Sequence, residues 1–188
     1  AELYLERGSA DELPLPETLQ GLIAARLDGL EGDEKTLLQD AAVVGKVFWS
    51  GSLRRAAEST AATLHALERK GFVRRQRQSS LENESEYAFG HALVRDVAYG
   101  QIPRVERAAK HRAVAVWFEE LGRPEDHAEM RAHHWGSALE LTRAAGHGVG
   151  DLDDRARLAL RDAGDRAFGL NAFVAAEGYY AEAIALWP

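Results

Sequence analysis

Histidines, carboxylates and arginines are the side chains here that could do chemistry, and their spacing decides which kind. Glu125, Asp126, His127, Glu129, His133 and His134 crowd one stretch, a nitrogen and oxygen donor set of the sort that holds zinc. On one helix His127 and His134 share a side but stand two turns apart, roughly 10 Å along the axis. That is too far for one ion, and the spacing His-Glu-x-x-His is absent. Gly45-Lys46 is the only glycine–lysine pair. A phosphate-binding loop needs glycine N–H groups around the phosphate, then lysine, then serine or threonine. Val47 stands where the hydroxyl is needed and Asp40 where the first glycine should be. There is no cysteine and no Gly-x-Ser-x-Gly, so neither a thiolate nor an elbow serine can act as nucleophile. Arg95-Asp96 and Glu106-Arg107 are adjacent charges that read as solvated. The expectation is no catalytic residue, no cofactor-binding residue and no metal ligand, and therefore no enzyme.

Charge is more informative than donor geometry. Between Lys46 and Arg77 eight bases face two acids, a local charge of +6 in a chain of −7 overall. Arg54, Arg55, Arg69, Lys70, Arg74, Arg75 and Arg77 are the candidate contact residues. Such a patch can meet DNA phosphate. It can equally meet an acidic protein surface. Thr60, Ala61, Ala62, Thr63, His65 and Ala66 occupy the helix that would enter a groove, whereas base readout favours Arg, Asn or Gln near a helix start. Protein docking is therefore the first reading and DNA binding the alternative.

The elements that position this patch lie between Thr60 and Tyr99. Ala61, Leu64 and Leu67 follow three-residue steps and Gly71 is a C-cap, so a helix capped by Thr60 is predicted. Phe72-Val73 opens an extended run, Gln78 to Ser85 suits an exposed loop, and Tyr87-Ala88-Phe89 alternates as a half-buried strand does. Helix, strand, polar tip and returning strand make a winged helix, with helices alone predicted before and after it. Ahead of it, Ala1 to Arg7 reads as a helix end and Ser9 to Pro16 as a linker. A helix is predicted over Glu17 to Leu30, with Leu19, Leu22, Ile23, Leu27 and Leu30 inward. A second is capped by Asp33 and buries Leu37, Leu38, Ala41, Ala42 and Val44. Phe48 and Trp49 follow at its end as core plugs. Ser50 or Ser52 caps a short helix through Ala57.

Beyond the wing the pattern is helical. His91 to Tyr99 is short. Pro103 opens a helix to about Leu121 with Val105, Ala109, Ala113, Val116, Trp117 and Leu121 inward. Asp126 caps the next, whose inner residues include Met130, His134, Trp135, Ala138, Leu139 and Leu141. Ala144 to Gly150 is a loop; Asp153 or Asp154 caps a helix through Phe168, and Phe173 to Leu186 forms the last. Arg157 to Pro188 partly matches a 34-residue tetratricopeptide repeat at Leu160, Ala163, Gly164, Ala176, Tyr180, Ala183 and Pro188. Tyr180 is expected to fill the groove between hairpins. One hairpin leaves a face open, which predicts further repeats in the complete protein.

Composition agrees. The chain has 188 residues, 46% apolar and 28% charged, ordinary for a globular protein, and is rich in alanine and leucine, which favours helix. Its net charge of −7 argues against wholesale binding to nucleic acid or an anionic membrane. No apolar run approaches the roughly 20 residues of a membrane span. Absence of cysteine suits a reducing compartment, so a cytoplasmic location is expected. The missing initiator Met reads as a fragment of a longer protein.

Leu13-Pro-Leu-Pro-Glu-Thr-Leu-Gln-Gly-Leu-Ile-Ala-Ala-Arg-Leu-Asp-Gly-Leu30 resembles the segment just after the ATPase domain of STAND-class signal-transduction ATPases. Leu37-Leu-Gln-Asp-Ala-Ala-Val-Val-Gly-Lys-Val-Phe48 resembles the next block, and the runs Tyr87 to Tyr99 and Arg107 to Ala115 extend it. The resemblance covers nearly the whole chain and points to the bacterial branch joined to cyclase or LuxR-type output domains. It implies a mainly α fold: residues 1–12 as the end of an ATPase region, 13–102 as a winged helix, 103–188 as a tetratricopeptide-like region. It implies ATP and magnesium in the parent protein, though not in this fragment. The winged helix would hold its own ATPase domain inactive, and the repeats would sense a protein or small-molecule inducer. In some relatives a winged-helix histidine touches the nucleotide phosphate, for which His65 and His91 are candidates.

Overall fold

The structure, a computed structural model, describes residues 17–53 and 57–187. The helix end expected over Ala1–Arg7, the Ser9–Pro16 linker, Arg54, Arg55 and Pro188 lie outside them. The fold is mainly α with a small three-stranded antiparallel sheet. In order come α1 (Glu17–Asp28), α2 (Gly32–Val44), β1 (Val47–Trp49), a 3-10 turn (Ser50–Leu53), α3 (Ala57–Arg69), β2 (Val73–Arg75), β3 (Glu86–Phe89) and α4 (Ala92–Gly100). Then follow α5 (Arg104–Glu120), a 3-10 turn (Pro124–His127), α6 (Ala128–Ala144), α7 (Leu152–Gly169) and α8 (Phe173–Ala185).

The sheet runs β1-β3-β2, with Phe48 opposite Tyr87 and Val73 opposite Phe89. The hairpin of β2 and β3 is as predicted; β1 is not. Val47-Phe48-Trp49 holds the β-branched and aromatic types that favour strands, but three residues are too few to show a period. The strand exists because β3 arrives to pair with it. Phe48 and Trp49 are buried as expected, on a strand instead of a helix end. Phe48 stacks on Tyr87 at 5.8 Å and tilts against Phe89 at 5.6 Å, at the heart of a core that also holds Leu37, Leu38, Leu64, Leu67 and Phe72.

The hairpin root depends on one small residue. The Gly90 N–H donates to the Phe72 carbonyl at 2.8 Å. A Cβ on Gly90 would sit 2.8 Å from the Gly71 carbonyl oxygen, so only glycine lets the two backbones come this close.

Residues 104–185 pack as consecutive helices, α5 on α6, α6 on α7 and α7 on α8. Their core is built from small side chains, with Ala115, Ala128, Ala132, Ala138, Ala156, Ala159 and Ala163 around the fully buried Trp135. At Gly164 the Tyr180 ring occupies the place a side chain would take, and its hydroxyl donates to Asp165 at 2.7 Å. Tyr180 thus packs inside the α7–α8 pair and does not fill a groove between pairs. A third cluster joins the two halves: Trp49 stacks on Trp117 at 6.1 Å and meets Phe118 edge-on at 6.0 Å, beside Val43, Ile102 and Val114.

Several predicted ends and faces shift. Helix α2 is capped by Glu31, whose N–H donates to the Glu34 carboxylate at 3.1 Å, and Asp33 sits in its first turn. Helix α3 begins at Ala57, so Thr60 is a buried interior residue and not its cap. Asp126 lies in the 3-10 turn ahead of α6, and Asp153 and Asp154 fall in the first turn of α7 behind Asp151. Leu22 is 65% exposed and Leu19 is exposed too; among the described residues of α1, Ile23 and Leu27 are the buried ones. On α2 Val43 is fully buried and Val44 only partly. On α5 the buried face carries Ala108, His111, Ala115 and Phe118, whereas Val105, Ala109 and Ala113 point outward. Met130 is exposed as well.

Candidate functional site

The loop between β2 and β3 is positioned by carboxylates. Glu84 Oε2 accepts hydrogen bonds from the Gly51 N–H at 2.8 Å and the Ser50 hydroxyl at 3.0 Å. Glu86 Oε2 accepts from the Ser80 N–H at 2.7 Å, the Ser80 hydroxyl at 2.6 Å and Trp49 Nε1 at 3.2 Å. The Ser80 donors hold the Glu86 carboxyl below its ordinary range, as expected when hydrogen bonds favour the charged form. Gly51 packs so tightly on Glu84 that a side chain there would collide with the carboxylate. The loop Gln78–Ser85 is exposed as predicted, but it is pinned at its base.

Pinning the loop leaves the arginines outside. Arg74, Arg75 and Arg77 are exposed and, with Gln76 and Gln78, line an open recess of about 600 Å³. Arg75 Nη2 donates to the Ser85 hydroxyl at 3.0 Å, and its backbone N–H donates to Glu68 at 2.9 Å. Arg69 is exposed at the end of α3. Lys70 is not available in the same way. Its Nζ grips both oxygens of the nearly buried Glu34 at 2.8 and 2.6 Å. Those hydrogen bonds hold the Glu34 carboxyl below its usual range. The Lys70 carbonyl also accepts from Arg26 at 3.2 Å, whose guanidinium lies 4.8 Å from the Phe72 ring centroid. Of the candidate cations, Arg69, Arg74, Arg75 and Arg77 are therefore exposed, and Lys70 serves the fold. The outer face of α3 presents Glu58, Ala61, Ala62 and His65.

His133 and His134, weighed above as metal donors, belong to a group whose third member, His111, the sequence reading left out. His111 on α5 and His134 on α6 are each 2% exposed, with their Nδ1 atoms 2.9 Å apart. The Tyr99 hydroxyl lies 2.9 Å from His111 Nε2. His133 is exposed beside them, and one ring nitrogen from each histidine falls within 4.8 Å of the others. Burial pushes His111 down to about 3, with His133, Arg95 and Arg107 adding to the effect. Burial also holds His134 well below the usual histidine range. Desolvation and then Arg95 lower His133. All three are neutral imidazoles at neutral pH, each with a lone pair to offer. His127, paired with His134 on sequence grounds, instead lies against Phe118 with ring centroids 5.6 Å apart. His111 was missed because its histidine partners are more than twenty residues away on α6; correct phasing of α5 would have brought it inward. His65 and His91 are exposed and stand apart from this group.

The chain matches no protein-family model, no curated protein and no solved structure.

Proposed function

We propose that this chain is a regulatory interaction module of a STAND-type signalling ATPase: a winged-helix head that docks on the ATPase domain, followed by tetratricopeptide-like hairpins that sense an inducer or partner. The strand order supports the winged-helix reading, with the strand after α2 returning beside β3 and a polar loop between β2 and β3. The buried Leu160, Ala163, Ala176 and Ala183, with Tyr180 closing over Gly164, support the repeat reading. So do Phe168, Phe173, Val174 and Ile184, which leave an exposed apolar outer face.

One observation carries the choice of partner. The wing holds out Arg74, Arg75 and Arg77, while the neighbouring helix face offers alanines, a histidine and a glutamate. Arginines alone recognise anionic groups; base edges need donors on the helix as well. An acidic protein surface fits both facts. The runner-up, a DNA-binding module, rests on the same arginines as phosphate contacts.

The two separate cleanly. Fluorescent duplex DNA should bind no tighter than about 10 µM at physiological salt, the non-specific range. In a chain carrying its ATPase domain, Arg74→Glu with Arg75→Glu should raise basal ATP hydrolysis several-fold by releasing the dock. Nanomolar, steeply salt-dependent DNA binding that this double variant abolishes would overturn the proposal in favour of DNA recognition.

A further inference from the structure

We infer that His111, His133 and His134 form a site for one divalent first-row transition ion, of the zinc class, that clamps α5 to α6. Three imidazoles without a carboxylate suit zinc, cobalt, nickel or copper and give calcium and magnesium nothing to hold. Zinc–nitrogen bonds of roughly 2.0–2.1 Å at tetrahedral angles place neighbouring ligand nitrogens about 3.3 Å apart. The Nδ1 atoms of His111 and His134 stand at 2.9 Å and need only a small opening to take an ion between them. A ring nitrogen of His133 lies within 4.8 Å of the other two, and its exposure opens the site to solvent.

The surroundings supply what a histidine ligand requires. A metal-binding ring donates its other N–H to an oxygen, which fixes its tautomer and direction. Tyr99 offers that oxygen to His111 Nε2 at 2.9 Å. Without metal, one Nδ1–H must donate to the other Nδ1. On binding, that ring moves its proton from Nδ1 to Nε2, so both Nδ1 lone pairs face the ion and no net proton is lost. Arg95 stands nearby, its guanidinium 4.9 Å from the Tyr99 ring centroid and bonded to the Ala42 carbonyl and Asp96. Arg107 lies 5.0 Å from the same centroid. Their charge opposes a dication, so moderate affinity is expected. Three protein ligands leave a fourth position for water or an incoming donor.

The test is titration of chelator-stripped protein with zinc, followed by calorimetry and thermal melting, with cobalt absorption as a geometric readout. One zinc per chain should bind and raise Tm by several degrees. His133→Ala, at an exposed position, should leave the metal-free Tm unchanged yet weaken zinc at least tenfold. Tyr99→Phe should weaken it by about tenfold. His127→Ala and His147→Ala should change nothing. Absence of saturable binding at submillimolar zinc overturns the inference, as does binding that survives His133→Ala or disappears with His127→Ala.

Discussion

The head, residues 17–102, and the helical tail, residues 104–185, solve the same packing problem with opposite materials. The head fills its centre with a few large side chains, Phe48, Leu64, Leu67 and Phe72 among them, and uses them to hold a sheet only three strands wide. The tail relies on alanines and a glycine that bring helix backbones together around one tryptophan. Close packing makes both sensitive to volume, but in opposite directions. The head should suffer most from deletion, and the tail from insertion.

The sharpest way to break this contrast is Phe48→Ala. Its ring touches both Tyr87 and Phe89, and its loss should cost about 3–5 kcal/mol in chemical denaturation. A cost under about 1 kcal/mol would mean that the head does not depend on its large residues. Next comes Gly164→Ala in the tail, where the new methyl would lie 2.5 Å from Tyr180 Cε1. Overpacking opposes a gain in helix propensity, and a net loss of about 1–2 kcal/mol is expected. Combining it with Tyr180→Ala should remove the clash, and a double-mutant cycle reads the coupling.

Charge sharpens the comparison at smaller amplitude. Glu34→Gln breaks a partly exposed pair with Lys70 and should cost roughly 1 kcal/mol after solvent screening. The folded carboxyl of Glu34 titrates below its ordinary 4.5, so the unfolded chain takes up the proton first. The stabilisation is therefore complete above pH 4.5 and drains away as pH falls through the lowered folded value. Acid titration followed by circular dichroism should show a downward slope there, flattened in Glu34→Gln. Smallest of all, Arg74→Glu with Arg75→Glu should shift stability by no more than about 0.5 kcal/mol, because both side chains are exposed. A larger loss would make them structural and weaken their role as a contact patch.

Glycine and proline made most helix limits legible: Gly45, Gly71 and the Gly146–Gly150 loop fall where helices end, and Pro103 where α5 begins. The β2–β3 hairpin was legible because Tyr87-Ala88-Phe89 alternates at a strand's period. What escaped depends on contacts distant in sequence. β1 is too short to announce itself and forms because β3 pairs with it. The phase of α5 was misjudged because Val105, Ala109 and Ala113 look more apolar than His111, yet His111 finds Tyr99 and His134 as partners and goes inside. The arginine patch was visible as composition; its division into exposed Arg74, Arg75 and Arg77 and a tethered Lys70 required Glu34 to be placed nearby.

The Trp49–Trp117 stack carries a practical consequence. Two indoles stacked at 6.1 Å with their planes 26° apart, one from each half, couple electronically, so their ultraviolet dichroism and emission register the gap between the halves. The molecule contains its own optical ruler, and a signal bound or transmitted across this joint can be watched in real time without attaching a dye.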